Sequence, residues 1–146
     1  MKKYFILTVF ALGFFVLSNA QEIGIRGGAV TGGNVAVDAV FSTGQFSRIH
    51  ADVSFGNGIG IDALWDFLYR PLGGEAFDWY AGVGPYLFIG DNFHLGVVGE
   101  LGLEYHFNSV PIALGGDWRP WFRLIDETDV GFGGFGINVR YVFGKK

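Results

Sequence analysis

The chain has 146 residues, enough for one domain, and no cysteine, which excludes a disulfide framework. Half of it is hydrophobic and 18% is aromatic. No stretch after the first twenty residues reaches the ~18 apolar residues of a helical span, so any membrane crossing falls to strands.

Lys2 and Lys3 precede an apolar run from Tyr4 to Leu17, and Ser18-Asn19-Ala20 places small residues where a signal peptidase cuts. The run is too short for a comfortable transmembrane helix. Residues 1–20 are therefore predicted to be a secretory signal peptide cleaved after Ala20, leaving residues 21–146 as a single barrel domain. The mature chain then carries eight basic and fourteen acidic residues, formally −6, with no basic patch for nucleic acid. Its lysines are confined to Lys145 and Lys146; every other cation is arginine.

Turn signals then recur along the chain. They are Thr31-Gly32-Gly33, Ser42-Thr43-Gly44, Gly56-Asn57-Gly58, Leu72-Gly73-Gly74, Gly90-Asp91-Asn92, Phe107-Asn108-Ser109 and Asp126-Glu127-Thr128-Asp129. Seven turns separate eight segments, the layout of an antiparallel meander of hairpins.

The segments alternate with period two. In the second, Val35, Val37, Ala39 and Phe41 oppose Asn34, Ala36, Asp38 and Ser42. In the third, Ile49, Ala51, Val53 and Phe55 oppose Arg48, His50, Asp52 and Ser54. In the fourth, Ile59, Ile61, Ala63, Trp65, Phe67 and Tyr69 oppose Gly60, Asp62, Leu64, Asp66, Leu68 and Arg70. The fifth contains Pro85, which removes a ladder bond and predicts a bulge beside Gly82 and Gly84. In the sixth, Phe93, Leu95, Val97, Leu101, Leu103 and Tyr105 oppose His94, Glu100, Glu104 and His106. In the seventh, Val110, Ile112, Leu114, Trp118 and Phe122 oppose Asp117, Arg119 and Arg123. In the last, Phe135, Ile137, Val139, Tyr141 and Phe143 oppose Asn138 and Arg140, after a second expected bulge at Gly133-Gly134. Segments of about 9–13 residues match the ~9–11 of a tilted transmembrane strand and exceed the ~5–6 of an ordinary one.

Alternation does not say which face looks inward. A lipocalin-like soluble barrel turns its apolar face inward; a membrane barrel turns it out to lipid. The polar face favours the second arrangement. It holds Asp38, Asp52, Asp62, Asp66, Asp78, Glu100, Glu104 and Asp117 against Arg26, Arg48, Arg70, Arg119, Arg123 and Arg140. That near-balance, with the planar fork of arginine, suits a lumen filled by buried ion pairs. Aromatics on the apolar face gather at segment ends. One predicted girdle is Phe41, Phe67, Tyr69, Phe77, Trp79, Tyr105, Tyr141 and Phe143; the other is Phe55, Phe93, Trp118, Phe122 and Phe132.

The closing Val139-Arg140-Tyr141-Val142-Phe143 and the alternation before it resemble the small outer-membrane barrels of Gram-negative bacteria, the OmpA/OmpX type. The resemblance is one of pattern over the whole mature chain. The family often ends on the aromatic itself, whereas Gly144-Lys145-Lys146 follows here. It implies an eight-stranded up-and-down transmembrane barrel in the outer membrane, with outer-membrane lipids, lipopolysaccharide and the insertion machinery as partners.

Candidate chemistry is sparse. Glu100, Glu104 and His106 share one face, as do His50 and Asp52, which is compatible with a metal or acid–base site. Ion pairing accounts for them more simply, because an eight-stranded barrel is just wide enough for side chains to fill. The pairs His106 with Ser109 and His50 with Ser54 lack the spacing of the two-apart His and Ser of lipid A deacylases. The expectation is a structural, non-catalytic barrel without cofactor or metal. A narrow pore or small-molecule carrier, a soluble periplasmic barrel and a lipid-modifying enzyme stand as alternatives.

Overall fold

A computed structural model describes residues 20–73 and 76–144, with Tyr4, Leu7, Thr8 and Ala11 before them. The rest of the predicted signal peptide, Gly74 of the fourth predicted turn, and Lys145 and Lys146 lie outside the described residues.

The strands are β1 (Glu22–Val30), β2 (Gly33–Ser42), β3 (Arg48–Gly56), β4 (Ile59–Pro71), β5 (Phe77–Ile89), β6 (Phe93–His106), β7 (Ile112–Trp118), β8 (Trp121–Ile125), β9 (Asp129–Gly131) and β10 (Phe135–Val142). Every pairing is antiparallel. Neighbours in sequence pair as hairpins from β1 to β7, β10 pairs with both β7 and β1, and the sheet closes on itself. The result is an eight-stranded antiparallel barrel with two additional short strands.

The additional strands are the far halves of two interrupted ones. Leu101 of β6 faces Trp118 of β7, and Val98 of β6 faces Trp121 of β8, so β7 and β8 run on one line. The interruption is Arg119-Pro120, where proline offers no N–H. Opposite it, Phe132-Gly133-Gly134 separates β9 from β10. Three residues there face two, the extra residue of a bulge at the expected glycines.

Two expectations about irregularity are corrected. Pro85 causes no bulge: β5 keeps an unbroken register with β6 from Phe77 to Ile89. The bulge lies on β4, between Asp66 and Leu68. It reverses the facing of everything after it, because side chains alternate strictly along a strand. Tyr69, assigned to the outer girdle, points inward and donates to Asp78 Oδ2 at 3.1 Å. Arg70, assigned to the lumen, lies outside, its guanidinium 3.7 Å from the centre of the Phe46 ring.

Apolar side chains line the outer face of the wall and charged ones fill its interior. Ile25, Ile61, Val83, Leu101 and Ile137 are 39–65% exposed on the outside, whereas Arg26, Asp38, His50, Asp66 and Asn138 are completely buried inside. Phe41, Phe67, Phe77, Trp79, Tyr105, Tyr141 and Phe143 ring one end; Phe55, Phe93, Phe122 and Phe132 ring the other. Trp118 is a further correction. It stands mid-wall on the β7–β8 line, stacked near Phe135 at 6.5 Å between centroids, because that line continues past it to Ile125. Trp65 is likewise mid-wall on β4.

Candidate functional site

The lumen is the only place where polar chemistry concentrates among the described residues, and it is built by alternation. Each inward position of β1 to β10 puts a side chain near the axis, and glycines opposite the bulkiest ones make room. A Cβ at Gly136 would meet the Arg26 guanidinium, and one at Gly102 would meet the Tyr80 ring.

Three levels of ion pairs follow one another along the axis. At the end near Gln21, Arg140 Nε donates to Glu22 Oε2 at 2.7 Å and Nη1 to Asp38 Oδ2 at 3.1 Å, while Nη2 donates to Glu104 Oε2. Arg48 links Asp66 and Glu104, each at 2.7 Å, and its guanidinium lies 4.4 Å from the ring centres of both Tyr69 and Tyr80. His106 stands between Glu22 and Asp78, each at 3.3 Å.

In the middle, His50 bridges two carboxylates, with Nε2 at 2.5 Å from Asp38 Oδ1 and Nδ1 at 2.9 Å from Glu100 Oε1. Arg119 Nε donates to Glu100 Oε2 at 2.9 Å and Nη1 donates to Asp52 Oδ2, with Asp62 at 3.6 Å and Asp117 at 3.5 Å. The Arg119-Pro120 interruption thus delivers a completely encircled cation to the axis. Nearer the other end, Arg26 Nε donates to Asp117 Oδ1 at 3.0 Å, Asn138 Nδ2 donates to Asp117 Oδ2 at 3.1 Å, and Thr31 Oγ1 donates to Asp62 Oδ1 at 2.5 Å. Charge-assisted pairs of this kind are the strong ones, and in a buried site each carboxylate needs them.

Of the predicted network, the structure brings together Arg26, Asp38, Arg48, Asp52, Asp62, Asp66, Asp78, Glu100, Glu104, Asp117, Arg119 and Arg140. It leaves out Arg70, on the outer surface, and Arg123, which lines the mouth without an ion pair among the described residues. Sequence reasoning missed Glu22, buried in the Arg140 site; its signal was an inward position two residues before Gly24 on a segment whose Arg26 had been read as inward.

Metal-like clusters do occur: Glu22 with Glu104 and His106, Asp38 with His50 and Asp52, and His50 with Asp66 and Glu100, each with ligand atoms within 4.8 Å. Arginine or imidazole donors already engage most of those atoms; Asp52 Oδ1 and Asp66 Oδ1 have no donor. The candidate hydroxyls lie elsewhere. Ser54 Oγ accepts from the Gly32 N–H at 2.9 Å and Ser109 sits in an exposed turn, so neither is bonded to a histidine.

One end of the lumen is not filled. A mouth cavity of about 470 Å³ is lined by Ala29, Val30, Tyr86, Val98, Trp121, Arg123 and the glycines of the β9–β10 break, among others. No protein family, curated protein or solved structure matches this chain.

Proposed function

We propose that this protein is an integral outer-membrane barrel of a Gram-negative bacterium with a structural role in the envelope. Its wall is set in lipid and its lumen is closed by ion pairs rather than open to flow. The observation that carries the reading is the inverted sidedness: a continuous apolar band faces out while, among the described residues, thirteen charged or imidazole side chains are buried within. Monomeric soluble proteins rarely expose apolar patches beyond a few hundred Å². The aromatic ends and strand lengths fit two bilayer interfaces and the hydrocarbon between them.

On this reading residues 1–20 are the export signal. The sheet's first backbone bond, from Gln21 N–H to the Val40 carbonyl at 2.8 Å, comes directly after the predicted cut. The partners are outer-membrane lipids and lipopolysaccharide around the wall and the insertion machinery during assembly. Catalysis has no part in this role.

The test is heat-modifiability together with extraction. The unboiled protein is expected to require detergent and to migrate faster than the boiled one, and mass spectrometry of the mature chain is expected to find Gln21 first. A preparation that is monodisperse in plain buffer would instead favour the soluble periplasmic barrel.

A further inference from the structure

At the mouth the barrel wall parts. Pairing of β1 with β10 stops at Gly28 and Gly136, and no backbone bond joins residues 29–31 to residues 129–134 among the described residues. Gly28, at a φ of 123°, turns the end of β1 aside, a conformation that glycine tolerates. Unpaired backbone is costly in hydrocarbon. Arg26 offsets part of that cost from inside, its Nη1 donating to the Ala29 carbonyl at 2.6 Å and its Nη2 reaching the Gly134 carbonyl at 3.4 Å.

Behind this slot lies the 470 Å³ mouth cavity, within the ~300–1,000 Å³ range of small-molecule sites. Its floor is apolar: Tyr86, Val98 and Trp121 belong to a cluster completed by Leu64 inside an otherwise charged lumen. Its lining also carries a cation in reserve. The Arg123 guanidinium lies 5.4 Å from the centre of the Trp121 ring, and its buried Nε has no hydrogen-bond partner. Of the other charges nearby, Arg119 is held by Glu100 and Asp52, and Asp62 by Thr31. His94 Nδ1 lies 3.3 Å from Asp126 but makes no hydrogen bond, and Asp129, opposite Arg123 across the β8–β9 pair, accepts from the Val130 N–H.

We propose that this cavity binds one long-chain carboxylate, a fatty acid, entering sideways from the membrane through the slot between β1 and β9. Its chain lies over Tyr86, Val98 and Trp121, and its carboxylate takes the planar fork of Arg123. The direction of entry rests on the membrane reading above; the pocket itself does not.

The test uses the full barrel in phosphatidylcholine vesicles, with Trp65, Trp79 and Trp118 replaced by phenylalanine so that Trp121 alone emits. The probe is a fatty acid brominated mid-chain; the comparator is a similarly brominated alkyl trimethylammonium. Saturable quenching is expected with the fatty acid only. It is expected to weaken about tenfold in Arg123→Gln and to be lost in Gly133→Phe. Gly133 lines the cavity and a Cβ there meets nothing within 4 Å, so that variant adds bulk at the cavity lining where the backbone has room for it. Quenching that rises linearly with probe, alike for both head groups and all variants, would overturn the site. Insertion is scored separately by the gel shift. If the barrel proves water-soluble, the same titration in buffer decides: saturable, Arg123-dependent quenching keeps the pocket and discards only the lateral route, and its absence discards both.

Discussion

Replacing Arg140 with methionine is expected to destabilise the barrel by about 3–5 kcal/mol, because removing one partner of a buried ion pair leaves uncompensated charge. Arg140 is fully buried and serves Glu22, Asp38 and Glu104 at once. Methionine matches much of its length but supplies no donor, so three carboxylates lose a partner together. Glu104 keeps Arg48, Asp38 keeps His50, and Glu22 keeps His106 at the rim. The measurement is urea unfolding of the refolded protein in vesicles, followed by tryptophan emission. Arg70→Met is the control. That side chain lies outside against Phe46, and its loss is expected to move stability by no more than about 0.5 kcal/mol. Equal midpoints for the two variants would mean that the lumen tolerates unpaired acids and is not the ion-paired plug described above.

If the wall is set in lipid as proposed, Val83→Arg is expected to cost about 2–4 kcal/mol in vesicles, the penalty for a cation on a lipid face near the bilayer midplane. Val83 is 43% exposed at the centre of β5, with the uncharged Gly99 and Trp65 opposite it on the neighbouring strands. The same substitution on a water-facing wall would be close to neutral, since exposed positions away from special features rarely change stability by more than about 0.5 kcal/mol. Phe143→Arg at the rim is expected to cost about 0–1 kcal/mol, because the penalty falls toward the interface. A flat profile from rim to centre would place water, not lipid, around the wall.

The eight segments, their turns and the polar face were legible because period-two alternation survives wherever one face is apolar and the other charged, as in Arg48 to Phe55 or Phe93 to His106. The facing of Tyr69 and Arg70 was not. Phe67, Leu68 and Tyr69 are all bulky and apolar, so nothing in their order marks the single extra residue that reverses the alternation. Pro85 misled in the other direction. The ladder to β4 simply lapses at Ala63 and Leu64 while the register is kept, and no bulge is needed. The break at Arg119-Pro120 had a visible cause in the proline. Its consequence, splitting the seventh strand and moving Trp118 to mid-wall, depends on β6 pairing past it on both sides. The mouth slot was least legible of all, since it arises from two strands failing to meet.

The ion pairs also constrain biogenesis. Arg140 arrives on the final strand, yet the acids it neutralises belong to β1, β2 and β6; Arg26, near the start of the chain, waits for Asp117 on β7. Until the last strand docks, Glu104 has Arg48, Asp38 has His50 and Glu22 has His106, but the cation that joins all three is missing. On the membrane reading proposed above, the closing seam and the completion of the axial network are one event, and a chain stopped short of Arg140 carries three acids whose shared cation has not arrived.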